Sequence, residues 1–152
     1  MNVMEEVLKQ KEYTISMRRM FHQHPELSMK ETETAARIRA ELNRMEIPYE
    51  TVGETGTIGT LKGKKEKPVI GLRCDIDALP ITEVKDLEFR SENEGVMHAC
   101  GHDGHISMLL TAAKVLSEHR AELNCTVKFI FQPAEEQMKG AIEILNSGKL
   151  GE

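Results

Sequence analysis

No stretch of this sequence is apolar enough to cross a membrane. The longest mostly apolar run, Ile106–Leu116, is broken by Ser107, Thr111 and Lys114, well short of the roughly 18–20 residues that a span requires. The first residues, Met1-Asn2-Val3-Met4-Glu5-Glu6, lack the basic start and apolar middle of a secretory signal. Glycine and proline are few, at 11 and 5 residues, which excludes a collagen-like or low-complexity chain. No repeat and no Ser/Gly linker interrupts it. Basic charge is in deficit: 20 Lys+Arg face 25 Asp+Glu, a net −5 without a basic patch. Neither nucleic acid nor a membrane is expected as a partner. There are three cysteines, Cys74, Cys100 and Cys125. An odd, widely spaced set argues against a disulfide framework and for a reducing cytoplasm. In that compartment a cysteine flanked by histidines reads as a ligand or nucleophile.

What is present is the composition of a soluble globular domain: 152 residues, 39% apolar and 30% charged, enough for one buried core. Residues about 2–22 carry apolar side chains at Val3, Met4, Val7, Leu8, Met17, Met20 and Phe21. They predict an amphipathic helix interrupted at His24-Pro25, because proline disfavours helix in the residue before it. Ser28-Met29-Lys30-Glu31 has the form of a capping box. Ala35, Ile38, Leu42 and Met45 then repeat at helical spacing, predicting a helix that ends before Pro48. From Tyr49 the period shortens. Tyr49–Val52, Thr57–Leu61 and Val69–Cys74 predict strands, the last two joined as a hairpin through a lysine-rich turn. Val69-Ile70-Gly71-Leu72 is nearly all apolar, as expected of a buried strand. An irregular stretch over about Asp77–Cys100 follows, long enough that it should serve a site. Ile106, Leu109, Leu110, Ala113 and Leu116 mark a helix, and Val127–Phe131 a strand stopped by Pro133. A last helix over about Gln137–Asn146 is closed by Gly148. The order predicts an α/β fold, a sheet sandwiched by helices.

Three clusters of reactive side chains sit where strands end or helices begin, the place where α/β sheets gather loops into sites. In His98-Ala99-Cys100-Gly101-His102-Asp103-Gly104-His105, three histidines and a cysteine fall within eight residues. A turned loop rather than a helix would aim Cys100 and His102 at one point, with Gly101 giving the bend and Asp103 capping the helix that follows. A thiol near a helix N-terminus loses its proton more readily, and thiolate is the form that binds metal. The competing reading is a His-rich surface loop. Gln132-Pro133-Ala134-Glu135-Glu136 follows a strand. Adjacent carboxylates there point different ways, so one can bind a metal while the other reaches a water on it, the division that metal-activated hydrolysis needs. Alternatively, the pair only favours the dipole of the next helix. Arg73-Cys74-Asp75-Ile76-Asp77-Ala78-Leu79-Pro80 carries carboxylates that either orient a histidine ligand or pair with Arg73. His22, His24 and His119 read as packing or surface residues, and the nine methionines as core filler.

These clusters, preceded by Arg18-Arg19-Met20-Phe21-His22-Gln23-His24-Pro25-Glu26-Leu27-Ser28, resemble the metal-dependent amidohydrolases of the M20 peptidase family. The similarity is greatest to its branch of N-acyl-amino-acid amidohydrolases, hippurate hydrolases and auxin-conjugate hydrolases, and it runs through nearly the whole chain. It implies a partial zinc-peptidase-like catalytic domain, a mixed sheet flanked by helices. Residues 1–152 would be its N-terminal portion, truncated before a lid or dimerisation domain. It implies two divalent ions (Zn, Mn, Co or Ni) in one site, with Cys100 as the bridge, His102 and Glu136 as ligands and Glu135 as general base. The reaction would be hydrolysis of a small-molecule N-acyl amino acid, with Glu135 shuttling the proton. Family members are longer, form homodimers or homo-oligomers, and carry further histidine ligands downstream, so this chain alone is expected to hold metal weakly and to be inactive. Where members are glycine-rich after the glutamate pair, this chain has Gln137-Met138-Lys139 before Gly140. Two rival readings stand beside this one: Cys100 as a nucleophile with His98 or His102 as base, and a truncated, non-catalytic binding or interaction module. The first leaves Glu135-Glu136 without a role.

Overall fold

The computed structural model describes residues 2–151. The expected first helix is two, α1 (Val3–Lys9) and α2 (Lys11–Gln23), separated by Gln10 at φ −91° and ψ 7°. α1 buries none of its residues. α2 stops one residue before His24-Pro25, as proline dictates. α3 spans Thr32–Arg44 and turns Ala35, Ile38 and Leu42 inward. The capping box is not made. Met29 sits at φ 65° and diverts the chain, so Ser28 lies off the helix and donates its hydroxyl to Asp77 Oδ2 at 2.6 Å. Glu26 takes the capping role instead, accepting the N–H groups of Glu33 at 3.2 Å and Thr34 at 2.7 Å.

Four strands, β1 (Tyr49–Val52), β2 (Gly56–Lys62), β3 (Val69–Asp75) and β4 (Thr126–Gln132), form one mixed sheet in the order β1-β2-β4-β3. β2 and β3 are therefore not a hairpin, contrary to expectation. β4 inserts between them, antiparallel to β2 and parallel to β3. It takes the centre, and none of its residues is exposed. β3 lies at the edge, and its first residues, Val69 and Ile70, are nearly half exposed, which corrects the reading of a buried strand. The long link from β3 to β4 holds α4 (His102–Glu118), as a parallel crossover needs.

One sheet face carries Leu61, Cys74, Val127, Phe129 and Phe131. It packs under Phe21 of α2, Ile38 and Leu42 of α3, and Ile106, Leu109, Leu110 and Ala113 of α4. On the other face α5 (Gly140–Asn146) sets Ile144 against Val52 and Ile58. Helices thus flank both faces of an α/β sheet. In the parallel register Asp75 of β3 lies opposite Gln132 of β4, so the two strand ends open into one space. The irregular segment after β3 is tied down beside that space. Ala78 N–H bonds Glu26 O at 2.8 Å, and Leu79 and Met97 exchange bonds at 3.0 Å.

Candidate metal centre

Three segments meet at the carboxyl ends of β3 and β4: residues 75–77, residues 98–105 at the start of α4, and residues 133–136 after β4. Gly101 adopts φ 87° and is the N-cap of α4, so His102 is the first helical residue. Asp103 does not cap, as had been expected. It lies inside the first turn, buried, and accepts from Arg18 Nε at 2.9 Å and from His22 Nδ1 at 2.8 Å. A tight approach shapes the other loop. A Cβ on Gly140 would lie 1.6 Å from Pro133 O, so only glycine lets α5 start against the 133–136 segment. Gln137-Met138-Lys139 lead into Gly140, and Met138 is exposed to solvent at φ 56°.

His102 Nδ1 lies 2.7 Å from the carbonyl oxygen of Asp77. A carbonyl only accepts, so Nδ1 carries the proton and Nε2 is left to face the cluster. Around Nε2 are Asp75 Oδ1 at 3.6 Å, Glu135 Oε2 at 3.9 Å and Glu136 Oε1 at 3.9 Å. Donor atoms of Cys100, His102 and Glu136 all lie within 4.8 Å of one another. Glu136 is the more enclosed of the two glutamates, its side chain 21% exposed against 41% for Glu135. The dipole account of the pair fails, because α5 begins only at Gly140.

The charges of this cluster are unbalanced. Burial alone would hold down the His102 imidazolium, but Asp77 and Asp75 outweigh it and hold the ring at about 9. For Asp77, burial favours the neutral acid. Hydrogen bonds from His102, from Ser28 and from the backbone of Glu136 and Glu135 prevail and hold it at about 2. The neighbouring Glu136 carboxylate, then burial and the charges of Glu135 and Asp75, push the Cys100 thiol up to about 11. An activated thiol nucleophile needs the opposite shift, and the easily ionised thiol expected at the helix N-terminus is not found either, because the carboxylates around Cys100 outweigh the helix. Glu136 Oε1 is buried and has no hydrogen-bond partner among the described residues. A thiol, an imidazole nitrogen and an orphaned carboxylate oxygen converging on one point fit a divalent cation, which would take the place of the protons that Cys100 and His102 hold without it.

The other expected residues are distributed as follows. Both readings of the segment after β3 hold at once: Asp77 orients His102, while Asp75 Oδ2 pairs with Arg73 Nη1 at 3.1 Å. Asp75 Oδ1 also takes His105 Nδ1 at 2.6 Å, and His105 stacks on His102 with centroids 5.6 Å apart. Asp75, His102 and His105 thus form a second donor group sharing the same imidazole. His98 joins neither. A groove of about 380 Å³, lined in part by Arg73, Asp75, His105 and Met108, opens beside the cluster. A larger hollow of about 470 Å³ at Pro48, Tyr49 and Arg120 touches none of these residues. Two buried residues escaped the sequence reading. His22, assigned no chemistry, bridges Asp103 and Glu83, with Nε2 3.0 Å from Glu83 Oε1. Its place beside Phe21 on the buried face of α2 was the available signal. Glu31 is wholly buried and bonded across the fold to Ala134.

The sequence profile of peptidase family M20/M25/M40 matches residues 71–152. The chain is 49% identical over 138 residues to N-acetylcysteine deacetylase of Bacillus subtilis, spanning 90% of this chain and 36% of that protein. It is also 49% identical over 140 residues to IAA-amino acid hydrolase ILR1-like 2 of Arabidopsis thaliana, spanning 91% of this chain and 32% of that one. The chain thus spans about a third of the length of the curated relatives it matches. Among solved structures, the Bacillus subtilis YXEP protein, described as a dinuclear metal binding peptidase from the M20 family, superposes with a TM-score of 0.88. It is 48% identical and is matched over 91% of this chain and 40% of its own. Human carnosine dipeptidase 1 superposes with a TM-score of 0.73 over 95% of this chain and 37% of its own. At 13% identity that likeness shows the fold alone.

Proposed function

The chain belongs to peptidase family M20/M25/M40, and from that premise we propose that it supplies the N-terminal, metal-binding portion of the catalytic domain of an amidohydrolase acting on N-acyl amino acids. The observation that carries this reading is the convergence of Cys100, His102 and Glu136 within 4.8 Å, with Glu135 beside them. Both named relatives point to substrates in which an acyl group is amide-linked to an amino acid, and YXEP to a two-metal centre.

Cys100, His102 Nε2 and Glu136 would hold divalent ions, drawn from Zn, Mn, Co or Ni. When bound, such ions polarise the scissile carbonyl and lower the pKa of water. Glu135, the more open carboxylate, takes a proton from the attacking water and returns it to the amine nitrogen as the C–N bond breaks. Asp77 holds His102 in the tautomer that presents Nε2. The groove beside His105 and Met108 offers space for the substrate. Two ions need more than three protein donors, so the chain alone holds metal weakly and is inactive; the whole protein is proposed to be a cytoplasmic homodimer or homo-oligomer.

Cobalt(II) titration of the chain tests this, since thiolate–cobalt absorption reports Cys100 directly. The band should appear in the wild-type chain and vanish in Cys100→Ala. Glu136→Ala should weaken binding tenfold or more, whereas Glu135→Gln should leave it unchanged. Binding indifferent to both Cys100→Ala and Glu136→Ala would refute the donor set. Two tightly held ions per purified chain would refute the weakness of the isolated site.

A further inference from the structure

Glu31 is not a ligand, yet it is built into the metal centre. Its side chain is wholly buried, and both of its carboxylate oxygens are committed. Oε1 accepts the Ala134 N–H at 2.8 Å, 103 residues away in sequence, and Oε2 accepts the Thr55 hydroxyl at 3.0 Å. Ala134 is itself buried and held at φ 47°, a conformation that residues with a Cβ rarely adopt. The next two residues are Glu135 and Glu136, each of which brings a carboxylate oxygen to 3.9 Å from His102 Nε2. The Glu136 N–H is fixed in turn on Asp77 Oδ2 at 3.0 Å. The turn bearing the glutamate pair is therefore gripped by two carboxylates, and only the Asp77 grip lies among the residues that orient the ligands.

We infer that Glu31 is a positioning residue of the metal centre, its buried carboxylate fixing the left-handed turn at Ala134 from which Glu135 and Glu136 reach His102. This rests on the metal reading of the preceding subsection and extends it to a residue that touches no donor atom. The chemistry of the pocket explains why a carboxylate is used. The backbone N–H of Ala134 and the hydroxyl of Thr55 both donate into it. An acceptor-only group with two oxygens meets that demand. An amide supplies one oxygen and turns an NH₂ toward a donor, so Gln should serve in part. Without any acceptor, the buried Ala134 N–H is left unpaired. The turn then loses the force that offsets its backbone cost, and the two glutamates lose a fixed origin.

The test compares Glu31→Ala, Glu31→Gln and Ile38→Val, the last a core change in α3 remote from the loop. Amide hydrogen exchange of the metal-free chain reads the turn, and cobalt(II) affinity reads the site. Glu31→Ala should speed exchange at 134–136 beyond what Ile38→Val causes at matched stability, and weaken cobalt(II) tenfold or more, with Glu31→Gln recovering only part of both. Unchanged exchange at 134–136, or a cobalt(II) loss no larger than that of Ile38→Val, would overturn the inference. A wild-type chain without thiolate–cobalt absorption would sink the metal reading, while the exchange data would still decide whether Glu31 holds the turn. Should Glu31→Ala not fold, Glu31→Gln carries the same comparison at smaller amplitude.

Discussion

Acid should weaken this fold through His98 before it does so through Asp77. The His98 side chain is 4% exposed, and neither ring nitrogen has a hydrogen-bond partner among the described residues. Burial pushes it down from 6.5 to about 4, prevailing over the pull of Asp103 and Asp77. The ring therefore takes a proton near pH 6.5 in the unfolded chain but only near pH 4 in the folded one. Between those values the unfolded state binds more protons, so stability falls as pH falls. At roughly 1.4 kcal/mol per pH unit, that gap amounts to about 3 kcal/mol, a large part of the roughly 5–15 kcal/mol that holds a domain together. The other perturbed groups of the site change elsewhere. Asp77, held at about 2, contributes stability that is present above its unfolded value of 3.8 and lost below it. His102, held at about 9, contributes stability that is complete below 6.5 and lost only as pH rises toward 9. Glu31 does titrate in part of the same window, because burial raises it, and with the opposite sign. A variant is therefore needed to isolate the imidazole. His98→Leu removes the ring without removing a hydrogen bond. Urea unfolding of both proteins from about pH 4 to about pH 7 should show the wild-type chain losing about 3 kcal/mol more than the variant toward acid. Parallel profiles would show that His98 is not held neutral by burial.

Two further outcomes follow from the same network. His22→Ala leaves Asp103 and Glu83 buried without the imidazole between them; a cost of about 3 kcal/mol in urea unfolding is expected, and a change below about 1 kcal/mol would mean that Arg18 and the Ser91 N–H already satisfy the two carboxylates. In the metal-free chain, thermal stability should decline between pH 6.5 and about 9 as His102 loses its proton, and His102→Gln should flatten that decline when melting temperatures are compared across the range.

The candidate donor residues were legible because each sits in a short motif whose chemistry is local: a cysteine and a histidine around a glycine, two glutamates after a strand, and a pair of aspartates after another. The helical and strand runs were legible for the same reason, since they rest on periodicity. What periodicity cannot show is which strand lies beside which. β4 displaced the expected hairpin by pairing with both β2 and β3, and β3 was thereby left at the edge. The same limit hid the supports of the site. His22 meets Asp103 across 81 residues, Ser28 meets Asp77 across 49, and Glu31 meets Ala134 across 103.

Ser28 and Glu31 show why a correct local rule still lost. Their spacing satisfies a capping box, and such a cap contributes about 1 kcal/mol. Leaving the buried Ala134 N–H unpaired would cost about 1–3 kcal/mol, and the buried hydroxyl of Thr55 adds to that demand. The helix can recruit Glu26 for its first N–H groups, whereas Ala134 N–H has Glu31 as its acceptor. The tertiary use of Glu31 therefore outweighs the local one. A polar residue that matches a capping pattern beside a metal-loop motif is better read as a candidate support of that loop than as a helix signal.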